Sequence, residues 1–107
     1  MQHQQLANGG WQKLEFVEQM ANIGSEVERA MNWRQKNNKK FQQKAFERAL
    51  ELINLTLECQ TNISRLKEVS RIKECLIDDF IFENQYQSTN QSWRSYFHAF
   101  NYAARTR

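Results

Sequence analysis

A polar stripe near the end of the chain has the residue types of phosphate chemistry. Arg94, His98, Asn101 and Arg105 recur at spacings of four, three and four, so a helix would place them along one face. A histidine one helical turn from an arginine can act as a general acid or base beside a phosphate-binding cation, as in ribonucleases. The same pattern is more typical of a solvated helix face.

Some small helical ribonucleases of the HEPN superfamily also carry an arginine and a histidine on a late helix. Only three residues separate Arg94 from His98, however, whereas that motif spaces the two further apart. The rest of the chain supports no assignment to this superfamily. A small helical ribonuclease is therefore the third of the functions that we consider, and we predict no catalytic residue and no enzyme.

Carboxylates and cysteines are the other candidates for chemistry. Glu74, Asp78, Asp79 and Glu83 lie close together, and carboxylates one turn apart can share a hard cation. No histidine accompanies them at ligand spacing, and the Glu-x-x-His pattern of two-metal bundles does not occur. The two cysteines form no CxxC pair and have no flanking basic pair to activate a thiolate. The sequence thus predicts no metal, no cofactor and no small-molecule substrate.

Positive charge is concentrated between residues 29 and 48. This span holds seven of the 15 lysines and arginines and a single carboxylate, Glu47. Such a cluster can bind a nucleic-acid backbone, because neutralised phosphates release counterions. With a formal net charge of only +3, the cluster is more typical of residues that keep a small protein soluble. The candidate nucleic-acid-binding residues are Arg29, Arg34, Lys36, Lys39, Lys40 and Lys44.

These residues must be positioned by helices. The chain has no proline and three glycines, too few breaks for an all-β fold, and 107 residues suffice for one domain. Apolar periodicity predicts helices at 13–36, 39–59, 63–82 and 91–105. We expect a flexible polar leader at 1–10 and, at 11–107, an all-α single-domain antiparallel up-and-down four-helix bundle. A three-helix core with the first helix docked across it, or a bundle completed by a second chain, remains an alternative.

Three features of the first predicted helix and its end carry further expectations. Gly24 inside the helix indicates close approach by another helix. Asn37 and Asn38 mark a break, since asparagine tolerates left-handed backbone and can cap the next helix. Trp33 lies off the apolar stripe, which suits an anchor for a protein partner, a stacking platform for a base, or a side chain that covers the bundle edge.

The second helix is apolar on two seams. Phe41, Ala45, Ala49, Leu52 and Thr56 form the first. Phe46, Leu50, Ile53 and Leu57 form the second, which we call the outer seam. Because such a helix needs neighbours on two sides, it is either the central helix of the domain or a core helix that also joins a dimer interface. The outer seam and Trp33 are the candidate protein-interface residues.

Three segments resemble a group of small uncharacterised prokaryotic all-helical proteins. They are residues 22–30 (NIGSEVERA), 44–52 (KAFERALEL) and 65–68 (RLKE). The resemblance covers most of the chain after the leader and implies a helical fold. It implies no activity, so no functional residue follows from it.

The sequence favours two other functions over a ribonuclease. The first is a non-enzymatic helical-bundle protein that binds protein and assembles as a homodimer through the outer seam. The second is an accessory nucleic-acid-binding bundle that uses the basic cluster. The chain has no basic region followed by an apolar stretch at its start and no apolar run long enough to span a membrane, so we expect a cytoplasmic protein with free thiols.

Overall fold

In a computed structural model of the chain, which describes residues 9–106, every regular element is a helix. A single-turn 3₁₀ helix at Trp11–Lys13 is followed by α1 at Phe16–Gln35, α2 at Lys39–Cys59, α3 at Ile63–Phe80 and α4 at Asn90–Arg105. The predicted all-helical class is confirmed, and the helix contacts fit a bundle: α1 packs on α2 and α4, and α2 packs on α3. The predicted leader lies outside the described residues, except for Gly9 and Gly10.

The first helix begins later than predicted because the chain before it folds onto the core. Trp11 is buried, and its indole Nε1 donates a 2.9 Å hydrogen bond to Thr56 Oγ1 on α2. Gln19 Nε2 donates to the Trp11 carbonyl oxygen at 3.0 Å. Glu15 and Glu18 then form a capping box at the start of α1. The segment before α1 is therefore part of the core packing.

The second helix is central to the bundle and has the predicted bounds. Its buried side chains come from both apolar seams: Ala45, Phe46, Ala49, Leu52, Ile53 and Thr56. The helix contacts α1, α3 and the 3₁₀ helix, so the chain itself supplies neighbours on two sides. In the structure, α2 is thus the central helix of the domain, which is one of the two alternatives predicted for a helix with two apolar seams.

Polar contacts join the ends of three helices at one end of the bundle. Asp79 on α3 accepts hydrogen bonds from Arg34 Nη1 on α1 at 3.0 Å and from Trp93 Nε1 on α4 at 2.8 Å. Arg34 Nη2 also donates to Asn90 Oδ1 at 2.8 Å, and the guanidinium lies 4.1 Å from the centre of the Phe80 ring. The carboxyl ends of α1 and α3 therefore meet the amino end of α4.

A buried carboxylate ends the third helix two residues before the predicted position. Asp78 accepts hydrogen bonds from the backbone N–H groups of Gln85 at 2.9 Å and Tyr86 at 3.0 Å. These bonds hold the connection to α4 against the helix end. α4 then begins at a capping box formed by Thr89 and Ser92.

A second contact joins α3 and α4 further along the bundle. The Tyr96 hydroxyl donates a hydrogen bond to a Glu68 carboxylate oxygen. Burial, together with this bond to a carboxylate, raises the pKa of Tyr96 above its ordinary value. The phenol therefore remains a protonated donor at neutral pH.

Gly24 lies where α1 and α4 approach each other, as predicted. A Cβ added at this position would lie 2.8 Å from Phe97 Cβ and 2.8 Å from Phe97 Cγ. We expect Gly24→Ala to lower the free energy of unfolding by about 1–3 kcal/mol, because the overlap outweighs the helix propensity gained. Urea unfolding followed by circular dichroism measures the change. The neighbouring Ser25→Ala is the control, since Ser25 is exposed, and an equal loss there would contradict the packing argument.

No helix in the described part of the chain combines the length and apolar character needed to cross a membrane.

Candidate functional site

The turn between α1 and α2 is built by two asparagines, as the sequence predicts. Asn37 has a φ of 57°, the left-handed backbone conformation that asparagine tolerates. Asn38 caps α2, with its side-chain oxygen accepting a 3.1 Å hydrogen bond from the Phe41 backbone N–H. The chain thus turns between Gln35, the last residue of α1, and Lys39, the first residue of α2. The turn brings the basic residues that end α1 beside those that begin α2.

Four exposed lysines surround this turn and form what we call the basic surface: Lys36, Lys39, Lys40 and Lys44. None of these lysines forms an ion pair with any carboxylate in residues 9–106. Lys39 and Lys40 occupy the first turn of α2, which contains no acidic residue. The positive end of the helix dipole therefore adds to the charge of the lysines.

An aromatic pair lies among these lysines. The rings of Trp33 and Phe41 meet edge to face, with centroids 4.8 Å apart. Lys36 Nζ lies 5.1 Å from the Trp33 ring, and Lys44 Nζ lies 5.8 Å from the Phe41 ring. Trp33 is half-buried and Phe41 is 41% exposed, so the outer ring is the one available to a ligand.

The sequence assigned Phe41 to the first apolar seam of α2. Its exposure has a simple cause: it lies in the first turn of the helix, at the end of the bundle, where the core stops. An apolar residue in the first turn of a predicted helix and next to lysines was the signal available in the sequence. Of the interface candidates, Trp33 is half-buried, and its ring contact with Phe41 joins α1 to α2.

The two arginine candidates do not join the basic surface. Arg34 is bound within the bundle by Asp79 and Asn90, so it is not a surface cation. Arg29 pairs with buried Glu26 one turn before it in α1 and lines a different groove. Sequence spacing places all six basic candidates near one turn, but only the four lysines remain exposed around it.

The predicted phosphate-binding stripe on α4 lies along a shallow groove between α1 and α4. The groove has a volume of about 440 Å³, and its lining includes Ser25, Arg94, His98 and Asn101. Arg94 is engaged by Glu28, with Nε donating to Oε1 at 3.0 Å and Nη2 to Oε2 at 3.0 Å. A ribonuclease would need this guanidinium to bind phosphate, so the pairing argues against that use of His98 and Arg94.

The acidic cluster at the end of α3 is divided among structural contacts. Asp78 binds backbone N–H groups of the following connection, whereas Asp79 binds Arg34 and Trp93. Within residues 9–106, no group of three or more metal-ligating side chains lies together. Cys59 and Cys75 are free thiols.

The outer seam proposed for a dimer interface is not an exposed surface, and this prediction needs correction. Phe46 and Ile53 are buried in the core of the chain, and Phe46 stacks on Phe80 of α3 with ring centroids 5.3 Å apart. Leu50 and Leu57 are half-buried and pack against the same core. Periodicity indicated that these residues need an apolar neighbour, and the core of the chain supplies it, with α3 covering Phe46.

Three of the large exposed apolar side chains in the described residues follow α3, at the end of the bundle that carries the basic surface. Ile81 is 49% exposed, Phe82 70% and Tyr86 48%. Their sequence pattern predicted no function. The Asp78 carboxylate binds the backbone of this connection at Gln85 and Tyr86.

Comparison with protein-family models, curated proteins and solved structures finds no significant match to this chain. The resemblance to small prokaryotic helical proteins therefore stays a prediction.

Proposed function

We propose that this protein is a non-enzymatic, cytoplasmic nucleic-acid-binding protein whose basic surface binds the phosphate backbone. The observation that carries the proposal is the set of four exposed lysines around an exposed aromatic ring, without a carboxylate partner in the described chain. Sequence-independent binding of nucleic acid needs this concentration of unneutralised charge. The free thiols suit the reducing conditions of the cytoplasm.

The bundle that presents this surface is proposed to be antiparallel and up-and-down. Consecutive α-helices are joined by two three-residue connections, at 36–38 and 60–62, and one of nine residues, at 81–89. The contact between the ends of α1 and α3 and the start of α4 supports alternating directions. In that arrangement the α1–α2 turn and the α3–α4 connection lie at the same end.

The placement of Lys39 and Lys40 favours binding over a purely solubilising role. Cations at the amino end of a helix are disfavoured by the dipole, by about 0.3–1 kcal/mol each. A bound phosphate would relieve this repulsion and accept charge-assisted hydrogen bonds from the lysines. Solubility alone could be supplied by lysines at positions without this cost.

The experiment is charge reversal of Lys39 and Lys40 together. We expect Lys39→Glu/Lys40→Glu to weaken binding of a labelled oligonucleotide at least tenfold, and to lower the salt slope by about 1.4 if two single-strand phosphate contacts are lost. Fluorescence anisotropy between about 50 and 200 mM salt measures both quantities. The same substitutions should raise thermal stability, because carboxylates suit the helix start. Loss of binding would then not reflect unfolding.

The matched control is Lys13→Glu/Lys67→Glu. Both residues are exposed, both lie outside the basic surface, and the pair makes the same change in net charge. We expect this control to weaken binding much less. Equal weakening in the two double variants would show that only net charge matters. Unchanged binding in Lys39→Glu/Lys40→Glu would contradict the proposed function.

A second candidate is binding of a protein, a second copy of this chain included. It is favoured by Ile81 and Phe82, which follow the end of α3 and are 49% and 70% exposed. Light scattering at high protein concentration tests self-association directly. Loss of an observed dimer in Phe82→Ser would support this candidate, whereas a monomer at every concentration would remove self-association from it.

A further inference from the structure

The basic surface has an aromatic ring near its middle, which phosphate binding alone does not require. Phe41 follows directly after Lys40 and precedes Lys44 by one turn, and its ring rests on the partly buried Trp33. An aromatic face among lysines matches the parts of a nucleotide, which has a flat base and a charged phosphate.

We propose that the basic surface selects unpaired nucleic acid, with a base stacked on Phe41 and the flanking phosphates held by Lys39, Lys40 and Lys44. This inference rests on the proposed function, because stacking adds to backbone binding at the same surface. Base stacking on aromatic side chains is the usual means by which proteins hold single strands without reading sequence. A duplex keeps its base faces inside the helix, apart from its ends, and offers Phe41 only sugar and phosphate.

The position of Lys44 is compatible with a stacked base. Its Nζ lies 5.8 Å from the Phe41 ring, close to the outer limit of about 6 Å for a cation–π contact. The side chain is exposed, so the ammonium can turn from the ring towards a phosphate when a base arrives. A base then replaces the weakly held Lys44 ammonium on the face of the Phe41 ring.

The experiment compares the binding affinities of oligonucleotides of about twelve nucleotides that differ in their bases and in whether they are paired. Labelled oligo-uridine and oligo-thymidine test RNA and DNA separately. An abasic strand of equal length keeps the phosphates and removes the bases, and a blunt duplex hides the base faces. We expect at least one of the single strands to bind about tenfold more tightly than the abasic strand. Equal affinity for the single strands and the abasic strand would overturn the proposal.

Two substitutions at Phe41 separate stacking from bulk. Phe41→Leu keeps an apolar side chain without an aromatic face, and we expect it to bind the single strand only as tightly as the abasic one. Phe41→Tyr keeps the ring and should keep the preference. Full preference in Phe41→Leu would overturn the proposal, as would its loss in a folded Phe41→Tyr.

The salt slope distinguishes backbone binding from base stacking. The single strands and the abasic strand could bind equally, with a salt slope that Lys39→Glu/Lys40→Glu reduces. That result would support backbone binding and contradict base stacking. If neither strand binds at low salt, the proposed function fails and the inference fails with it. A preference for the blunt duplex over single strands would also overturn the inference while leaving backbone binding intact.

Discussion

Replacing Asp79 by alanine is expected to lower the free energy of unfolding by about 3 kcal/mol, since it breaks a part-buried ion pair from one side and removes the acceptor of the Trp93 indole. The Asp79 side chain is 6% exposed and its partner Arg34 is 29% exposed. Without the carboxylate, the guanidinium stays in the bundle with only Asn90 as a hydrogen-bond acceptor. Trp93 Nε1 also loses its acceptor. Urea unfolding followed by circular dichroism measures the loss.

Graded variants show which bond matters. Asp79→Asn keeps an oxygen for the Trp93 indole and removes the charge opposite Arg34, so we expect a smaller loss than in Asp79→Ala. Arg34→Met keeps an apolar stem against the Phe80 ring and removes the cation. In the double variant Arg34→Met/Asp79→Ala, the losses should be less than additive, because neither charge remains unpaired. Additive losses would contradict coupling of the two residues.

This ion pair also bears on the basic surface. Arg34 lies two residues before Lys36, so the contact with Asp79 fixes the end of α1 from which the turn starts. The arginine that sequence reasoning assigned to phosphate thus has a different role: it holds in place the helix end that presents the lysines.

Much of the helical framework follows from local chemistry. The bounds of α2 and the turn at Asn37 and Asn38 agree with the sequence prediction because both depend on neighbouring residues: an asparagine cap, a left-handed position and an apolar period. Gly24 was also informative, since glycine within a helix disfavours that helix unless another backbone or ring needs the space. These features are determined by residues that lie close together in the sequence.

Pairings between distant residues could not be predicted in this way. Arg34 and Asp79 are 45 positions apart, as are Trp11 and Thr56. Nothing local to Arg34 distinguishes an arginine paired within the bundle from an unpaired one at the surface. The outer seam shows the same limit: periodicity identifies Phe46 and Ile53 as apolar and facing one way, but does not say whether α3 or a second chain covers them.

The candidate site was predicted in part for the same reason. Lys36, Lys39, Lys40 and Lys44 stay exposed because they lie at a turn, which sequence spacing locates well. The exposure of Phe41 depends on where the core ends, and this is set by the packing of whole helices. The sequence therefore indicated the charge of the site and missed its outer ring.

Trp11→Ala is expected to lower the free energy of unfolding by about 3–5 kcal/mol, although Trp11 lies before the first α-helix. The indole is buried against the core and bonded to Thr56, so truncation removes apolar burial and leaves a cavity. Gln19 additionally bonds the Trp11 carbonyl, which ties this segment to α1. Since a domain of this size has a stability of about 5–15 kcal/mol, the variant should unfold at much lower urea concentration.

Variants of the hydrogen bond separate its contribution from that of packing. Thr56→Val keeps the side-chain volume but leaves the Trp11 indole N–H buried without an acceptor, at an expected cost of about 1–3 kcal/mol. In a Trp11→Phe background, which lacks this N–H, the same substitution should cost much less. An equal cost of Thr56→Val in both backgrounds would show that the indole bond is not its cause. A Trp11→Ala protein as stable as the parent would show that the 3₁₀ segment does not contribute to the core in solution.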